Sequence, residues 1–431
     1  MLTDCTKSTA TNNNSDLTSA LMQLCASRYY IAHGEFHSNS IQRGRSCGYG
    51  PLGVDLKSNI VDQWWISVMR SRAQVFGIST LQSARDKEGV RLVDNSAIEQ
   101  TVSNNELTKE QIKTRLQHVL QRSVSFRTSL LKGALEQFAP SLELVNKKLP
   151  FGLAETGVCH GPAAENADSI DWLPEFTESS LVWFCTPRTS SQWLDYWSRQ
   201  RLQWWRKFAL GPSDFNCCDA TDEELQSGAS RGVKILYRFP WGTETLETLH
   251  NLGSTELLNS HRGSRTKLHC KDGRNSVVPH VISVSGNIDR GVLAYLFNSL
   301  QWLKKVDNKQ KLHQRQVLKL HPTLSPVKVA VDVGRGSTME LRQVCEGLLQ
   351  EFLEAGISAW PGYLDTTHSS LELMHSKYDE MGVLFTVMIS ENTLENGLLS
   401  IRSRDTTIRE TMHISEVKTF LLKFISAAAN V

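Results

Sequence analysis

The C-terminal quarter of the chain constrains the fold most. From Val327 onward, apolar runs of strand length alternate with amphipathic helices. Val327–Val333 alternates as a strand, and Thr338–Glu354 reads as a helix with Leu341, Cys345, Leu348 and Phe352 on its inner face. Gly356 stands where a C-cap glycine belongs. A strand at Ile357–Trp360, a helix over Leu371–Met381 and an apolar strand at Val383–Ile389 follow, and Glu395-Asn396-Gly397 predicts a hairpin into Leu398–Arg402. Parallel strands need crossovers long enough to hold a helix, so this order predicts a mostly parallel α/β sheet with one antiparallel addition.

At roughly 100–200 residues per domain, the length of 431 residues leaves room for two to four domains. Residues 1–16 are polar and contain no arginine, matching neither a secretory signal nor an arginine-rich transit peptide, and are expected to form a disordered tail. Leu17, Leu21, Leu24 and Cys25 then recur at helical spacing, and a glycine-rich loop, Gly44 to Gly53, leads into an amphipathic segment, Val54–Met69. Between Thr108 and Val145 the periodicity predicts two helices, 108–121 and 124–145, the first opened by a capping box of Thr108 and Gln111. Two lone helices cannot enclose a core, so they must pack on the rest of the chain or on a second copy. A two-fold arrangement would make a four-helix bundle, with Ile112, Leu116, Leu120, Leu131, Leu135 and Phe138 as the dimerisation candidates.

From Leu149 to Leu303 the pattern is mixed, with strands expected at Leu181–Phe184, Lys234–Phe239 and Val277–Val284. A long helix from Ser190 to Phe208 carries Trp193, Trp197, Trp204 and Trp205 on one face, a spacing that suits packing. Residues 304–325 read as a basic linker closed by Pro322 and Pro326. With 47 Lys+Arg against 45 Asp+Glu the whole chain is nearly neutral, so local basic clusters mean that charge is segregated. Arg262, Arg265, Lys267, Lys271 and Arg274 form one cluster, and Lys304, Lys305, Lys309, Lys311, Arg315 and Lys319 the other. Phosphate backbones select for this pattern, because each neutralised phosphate releases counterions, which makes these the nucleic-acid candidates. Gly334-Arg335-Gly336 reads as a tight strand-to-helix turn, since Met339 replaces the third glycine of a dinucleotide fingerprint. No window approaches the ~20 apolar residues of a membrane span. Nine cysteines without a Cys-x-x-Cys pair suit free thiols, and neither a metal nor a cofactor is expected.

Cys47-Gly48-Tyr49-Gly50-Pro51-Leu52-Gly53-Val54-Asp55-Leu56-Lys57, running on to Trp64 and Trp65, resembles motif 1 of class II glycyl-tRNA synthetases. Leu149–Ala154 and Glu175-Phe176-Thr177 resemble the strands entering and leaving motif 2, and Val278 to Ile282 with Asp289-Arg290 resembles motif 3. Pro326 to the end is similar to the anticodon-binding domain of that class, notably at Lys377–Glu380 and Arg402–Thr406. This implies an α+β / α/β multidomain fold: a class II synthetase-like antiparallel-sheet core (17–85 and 146–303), an inserted helical dimerisation domain (86–145), the basic linker (304–325) and an anticodon-binding-like α/β domain (326–431). In the synthetases, motif 2 supplies an arginine, as Phe-Arg-x-Glu, to the ATP α-phosphate, where a cation placed in advance stabilises developing charge. Here Val158-Cys159-His160-Gly161-Pro162 carries neither Arg nor Glu, and Pro174 stands where the exit strand should begin with Arg. Motif 3 keeps Arg290, but its usual glycine is displaced.

Synthetase scaffold, broken motif 2 and inserted helices together resemble the accessory-subunit family of animal mitochondrial DNA polymerase gamma, most specifically over 181–208 and 332–348. The resemblance implies a non-catalytic homodimer in the mitochondrial matrix, at the nucleoid, that binds double-stranded DNA. It also implies a C-terminal domain that docks on the polymerase catalytic subunit to raise processivity. Trp360, Leu384, Phe385, Arg402 and Arg404 are the candidates for that contact. The competing reading is an active glycine-type synthetase, and a third is an RNA-binding scaffold.

Overall fold

The computed structural model describes residues 17–32, 48–70, 72–84, 91–104, 106–161, 175–262, 268–272, 275–306, 312–333, 338–365 and 370–430. A helix at 17–27 precedes the motif 1 helix, Pro51–Trp65, which Pro51 opens at a position whose N–H has no intrahelical partner anyway. After β1 (Val75–Gly77) comes an insertion: β2 (Ser83–Ala84), β3 (Arg91–Leu92), helices Asn95–Val102 and Lys109–Arg122, and β4 (Val124–Phe126), with β4 between β2 and β3. Two short helices, Leu131–Glu136 and Phe138–Leu144, lead into β5 (Phe151–His160) and β6 (Glu175–Cys185). The tryptophan helix Ser190–Lys207, β7 (Phe215–Asp219), β8 (Arg231–Phe239), β9 (Gly242–Gly253) and helix Thr255–Ser260 follow. A small hairpin of β10 (Cys270–Asp272) and β11 (Asn275–Val277) precedes β12 (His280–Asn287) and the motif 3 helix Ile288–Ser299.

Among the described residues, seven strands form the main sheet in the order β1-β5-β6-β12-β9-β8-β7, antiparallel except where β1 lies parallel to β5. Side chains alternate between its two faces. Ala154, Leu181, Trp183, Ile282 and Val284 bury one face under the motif 1, motif 3 and tryptophan helices, with Trp197, Trp204 and Trp205 in the core as the spacing predicts. On the other face Phe151, Leu153, Val182, Phe184 and Val281 meet Leu131, Leu135 and Phe138.

A hairpin of β13 (Leu300–Val306) and β14 (Leu312–Leu318) leads to the C-terminal domain. That domain comprises β15 (Val329–Val333), helix Met339–Glu354, β16 (Ala359–Pro361), helix Leu371–Glu380, β17 (Phe385–Ile389), helix Glu391–Asn396, β18 (Leu398–Ser403), β19 (Arg409–His413) and helix Ile414–Asn430. β16-β15-β17 are parallel, while β18 and β19 are both antiparallel, one more than expected. Gly356 follows its helix at φ +73°, as the sequence predicts, and the structure adds a Thr338 side-chain cap at the other end.

Three expectations change. The segment 124–145 is a strand and two short helices rather than one helix, and the second helix starts at Phe138 so that Pro140 falls in its first turn, where a missing N–H is harmless. The insertion therefore ends near Phe126, and 131–144 belongs to the core. Residues 304–306 and 312–318 belong to the β13–β14 hairpin rather than to a linker, and Val317, Leu318, Leu320 and Leu324 hold the segment by burial. Asn396-Gly397 ends a helix instead of turning a hairpin, with Gly397 left-handed at φ +72°. The tail 1–16 and Gly334-Arg335-Gly336 lie outside the described residues.

The C-terminal domain is fastened to the core by buried and half-buried bonds. Arg28 pairs with Glu380 at 2.6 Å, Tyr30 Oη donates to the Met381 carbonyl at 2.9 Å, and Arg404 donates to the carbonyls of Gly382 and Leu320.

Candidate functional site

Past its apolar end, the face of the main sheet that carries Phe151 and Phe184 becomes polar. Glu155, Gly157 and Cys159 on β5 lie beside Glu178 and Ser180 on β6 and Ser283 and Ser285 on β12. Among the described residues, side chains of the chain itself occupy this platform.

Arg127, 7% exposed, lies across it just after β4. Its Nε donates to the Val158 carbonyl at 2.8 Å, and its Nη1 donates to Thr80 and pairs with Glu155 at 3.1 Å. Thr80 donates to the same carboxylate through its backbone N–H and its hydroxyl. A Cβ at position 157 would stand 2.1 Å from Arg127 Nη2, so only glycine leaves room for the guanidinium. Glu178, 1% exposed, accepts from Leu130 N–H, Ser129, Ser285 and Cys159. Burial raises its pKa, which those donors partly offset. Burial, followed by the charge of Glu178, pushes the Cys159 thiol far above its ordinary value, so it is no nucleophile. The His160 ring stacks on Phe126 with centroids 4.3 Å apart.

The motif 3 residues are engaged too. Asn287 caps the motif 3 helix through Arg290 N–H, the Arg290 side chain pairs with Glu244 at 3.2 Å, and Asp289 holds Lys57 at 2.7 Å and Tyr49 at 2.6 Å. Among the described residues, the arrangement binds the scaffold together.

The basic candidates are dispersed. Arg262 is exposed after the helix Thr255–Ser260, and Lys271 is exposed on β10. Lys304 and Lys305 pair through their backbones with Gln314 and His313, and Lys319 is half-buried beside Ser299. Arg265, Lys267, Arg274, Lys309 and Lys311 fall outside the described residues. Arg315 is corrected: it pairs with buried Asp379 at 3.1 Å and acts as a clamp between hairpin and C-terminal domain. Sequence reading missed Lys147 and Lys148, exposed residues that the fold brings against Lys271 through a backbone bond from Lys271 N–H to the Lys147 carbonyl. The adjacent lysines were the available signal.

The dimerisation candidates divide. Leu120 is 47% exposed, Ile112 and Leu116 are half-buried, and the helix Lys109–Arg122 buries none of its residues. Leu131, Leu135 and Phe138 are corrected: they fill the protomer's own core, with Phe138 stacked between Phe151 and Phe184. The partner candidates on the C-terminal domain are corrected likewise. Leu384 and Phe385 are core residues at the start of β17, Arg402 is bidentate to Asp379 at 2.8 and 2.9 Å, and Arg404 is 2% exposed. Trp360 is half-buried and stacks on Tyr29.

Residues 328–424 match the family model of the anticodon binding domain. The chain is 49% identical to the DNA polymerase subunit gamma-2 of Mus musculus, over 96% of this chain and 91% of that protein. It is equally similar to the Xenopus laevis DNA polymerase subunit gamma-2, mitochondrial, over 95% and 88%. The glycine–tRNA ligase of Thermus thermophilus is 28% identical over 68% of this chain and 62% of its own. A prolyl-tRNA synthetase of Cryptosporidium parvum, solved with L-proline and AMP, superposes with a TM-score of 0.64 at 12% identity, covering 97% of this chain and 79% of that one, which shows the shared class II fold. With 49% identity sustained over nearly its whole length, the chain belongs to the DNA polymerase subunit gamma-2 family.

Proposed function

We propose that the protein is the non-catalytic accessory subunit of a mitochondrial DNA polymerase, binding duplex DNA and the catalytic subunit to raise processivity. The observation that carries this reading is the filled platform. Arg127 is committed to Glu155, Thr80 and Val158, so the adenylation face has become a folded interior, while the close relatives are named polymerase subunits.

The other parts rest on surfaces. Lys147, Lys148 and Lys271 form a ridge suited to phosphates without base readout, so affinity should fall steeply with salt and vary little with sequence. The insertion helices, with Val102 and Leu120 exposed, suit a second copy, and Leu364, Leu371 and Leu373, exposed on the C-terminal domain, suit the catalytic subunit. The name of the Xenopus relative supports a mitochondrial location, and the matrix nucleoid is where this role would be exercised.

The test is primer extension by the purified catalytic subunit at near-physiological salt, with a trap for released enzyme. Longer products on adding this protein are expected; unchanged length with a competent catalytic subunit refutes the role. ATP–pyrophosphate exchange with any amino acid would restore the synthetase reading.

A further inference from the structure

The opposite face of the main sheet carries a second feature that the accessory role does not use. An open cavity of about 660 Å³ lies between the end of the motif 1 helix and the tryptophan helix. It cannot be a remnant of the adenylation site. Its innermost charge, Arg201, pairs with Glu247 on β9, and Glu247 is the cross-strand neighbour of Gly286, so it points away from the face that holds Ser285 and Glu178.

The charges around this cavity are unbalanced. Arg72, Arg201, Arg206 and Lys207 line it, and no aspartate or glutamate does so among the described residues. Arg206 donates to the Phe215 carbonyl and to Asn216, and Lys207 donates to the Ala429 carbonyl; these acceptors are neutral. Arg72 lies over aromatic rings, 4.4 Å from the Tyr196 centroid and 5.3 Å from that of Trp197. Among the described residues only Arg201 meets a carboxylate, and incompletely. It is 1% exposed, its Nε donates to Glu247 and its Nη1 to Ser67, but its Nη2 has no acceptor among the described residues. Its guanidinium lies over the Trp204 ring, 4.3 Å from the centroid, which fixes this charge at the floor of the cavity. Guanidinium forks match phosphate oxygens, and a ligand of this site gains from cations already fixed by ring faces and carbonyls.

We propose that this cavity binds a nucleoside polyphosphate. The phosphates meet the arginines, while Phe208 and Pro212 supply an apolar wall and Gln200 and Gln203 supply amides beside it for the nucleoside. The volume lies within the roughly 300–1,000 Å³ common for small-ligand sites.

Titration calorimetry of the full chain at low salt, with ATP and then with inorganic pyrophosphate, tests the assignment. Saturable binding of one ATP per protomer is expected, with pyrophosphate weaker. Gln200 and Gln203 are exposed, so the double variant Gln200→Glu/Gln203→Glu should fold normally and weaken ATP at least about tenfold by placing carboxylates at the rim. Glu178→Gln, on the other face, should leave binding unchanged. No saturable ATP binding at millimolar concentration, or a rim double variant that binds like the parent, overturns the site. Pyrophosphate binding as tightly as ATP overturns the nucleoside part, and loss of binding in Glu178→Gln relocates the ligand to the platform.

Discussion

The insertion helix Lys109–Arg122 and the pair Leu131–Glu136 and Phe138–Leu144 read alike in sequence: each carries an apolar stripe that needs a cover. In the fold they part. The pair lies on the main sheet, where Leu131, Leu135, Phe138 and Leu142 are buried, whereas Lys109–Arg122 buries no residue within the protomer. What separates them is the chain's next step. Leu130 and Leu131 are drawn down by the Glu178 carboxylate, which accepts the Leu130 N–H at 2.9 Å and so ties the start of the pair to β6. Among the described residues the insertion is tied at its base, where β4 pairs with β2 and β3 and Arg127 crosses the platform. A hydrophobic stripe states that a surface is to be covered; the covering element is decided by polar anchors far apart in sequence.

The largest effect expected from this contrast is at Phe138. Its ring lies 4.6 Å from that of Phe184 and 5.7 Å from that of Phe151. Phe138→Ala should cost about 3–5 kcal/mol in chemical unfolding, because the sheet beneath cannot collapse into the cavity. A cost under about 1 kcal/mol would show that the pair is only loosely docked. Next comes the anchor. Arg127→Met leaves Glu155 buried without its cation and should cost about 3 kcal/mol, and adding Glu155→Leu should recover most of it. Failure of the second change to rescue the first would mean that the guanidinium acts through the carbonyls of Thr80 and Val158 instead.

Much of the architecture was legible in the sequence because strand and helix periods are local. The Thr108–Gln111 capping box, Gly356 and the buried tryptophan face all occur as expected. Partner choice was not legible. Arg315, Arg402 and Arg404 look like surface charge in a string of letters, and only the fold shows Asp379 and the carbonyls of Gly382 and Leu320 waiting for them. The degenerate motif 2 was visible as missing residues, but the replacement, Arg127, comes from the end of the insertion and had no motif to announce it. The unpaired Arg201 Nη2 was hidden for the same reason.

A smaller effect should appear with pH, and it belongs to the C-terminal side rather than to the insertion. Burial, then the nearby Arg402, Arg409 and Arg315, lower the His375 pKa to about 3, and burial with Lys207, Lys328 and Arg404 lowers that of His321 to about 4. Both rings are neutral in the folded state near pH 6, while an unfolded histidine takes up a proton below its ordinary value of about 6.5. The unfolded state therefore binds more protons, and stability should fall as pH drops below 6.5, towards 4 for His321 and 3 for His375, by at most about 1.4 kcal/mol per pH unit for each. Urea titrations from pH 7 to 5 should show a shallower loss in His375→Gln than in the parent. An identical slope would mean that the His375 pocket opens before the domain unfolds.

The smallest effect on the protomer and the clearest on assembly should come from the insertion. Leu116 and Leu120 lie one helical turn apart on a helix with no buried residue, so Leu116→Asp/Leu120→Asp removes almost no contact within the chain and should change unfolding by less than about 0.5 kcal/mol. If a second copy covers this stripe, the same change buries two carboxylates in the interface, and sedimentation should find monomers where the parent is a dimer. Retained dimers would place the interface elsewhere and leave the stripe for another partner. A large loss of protomer stability would instead erase the contrast, since it would show that the insertion helix is packed on its own chain as firmly as its neighbours are.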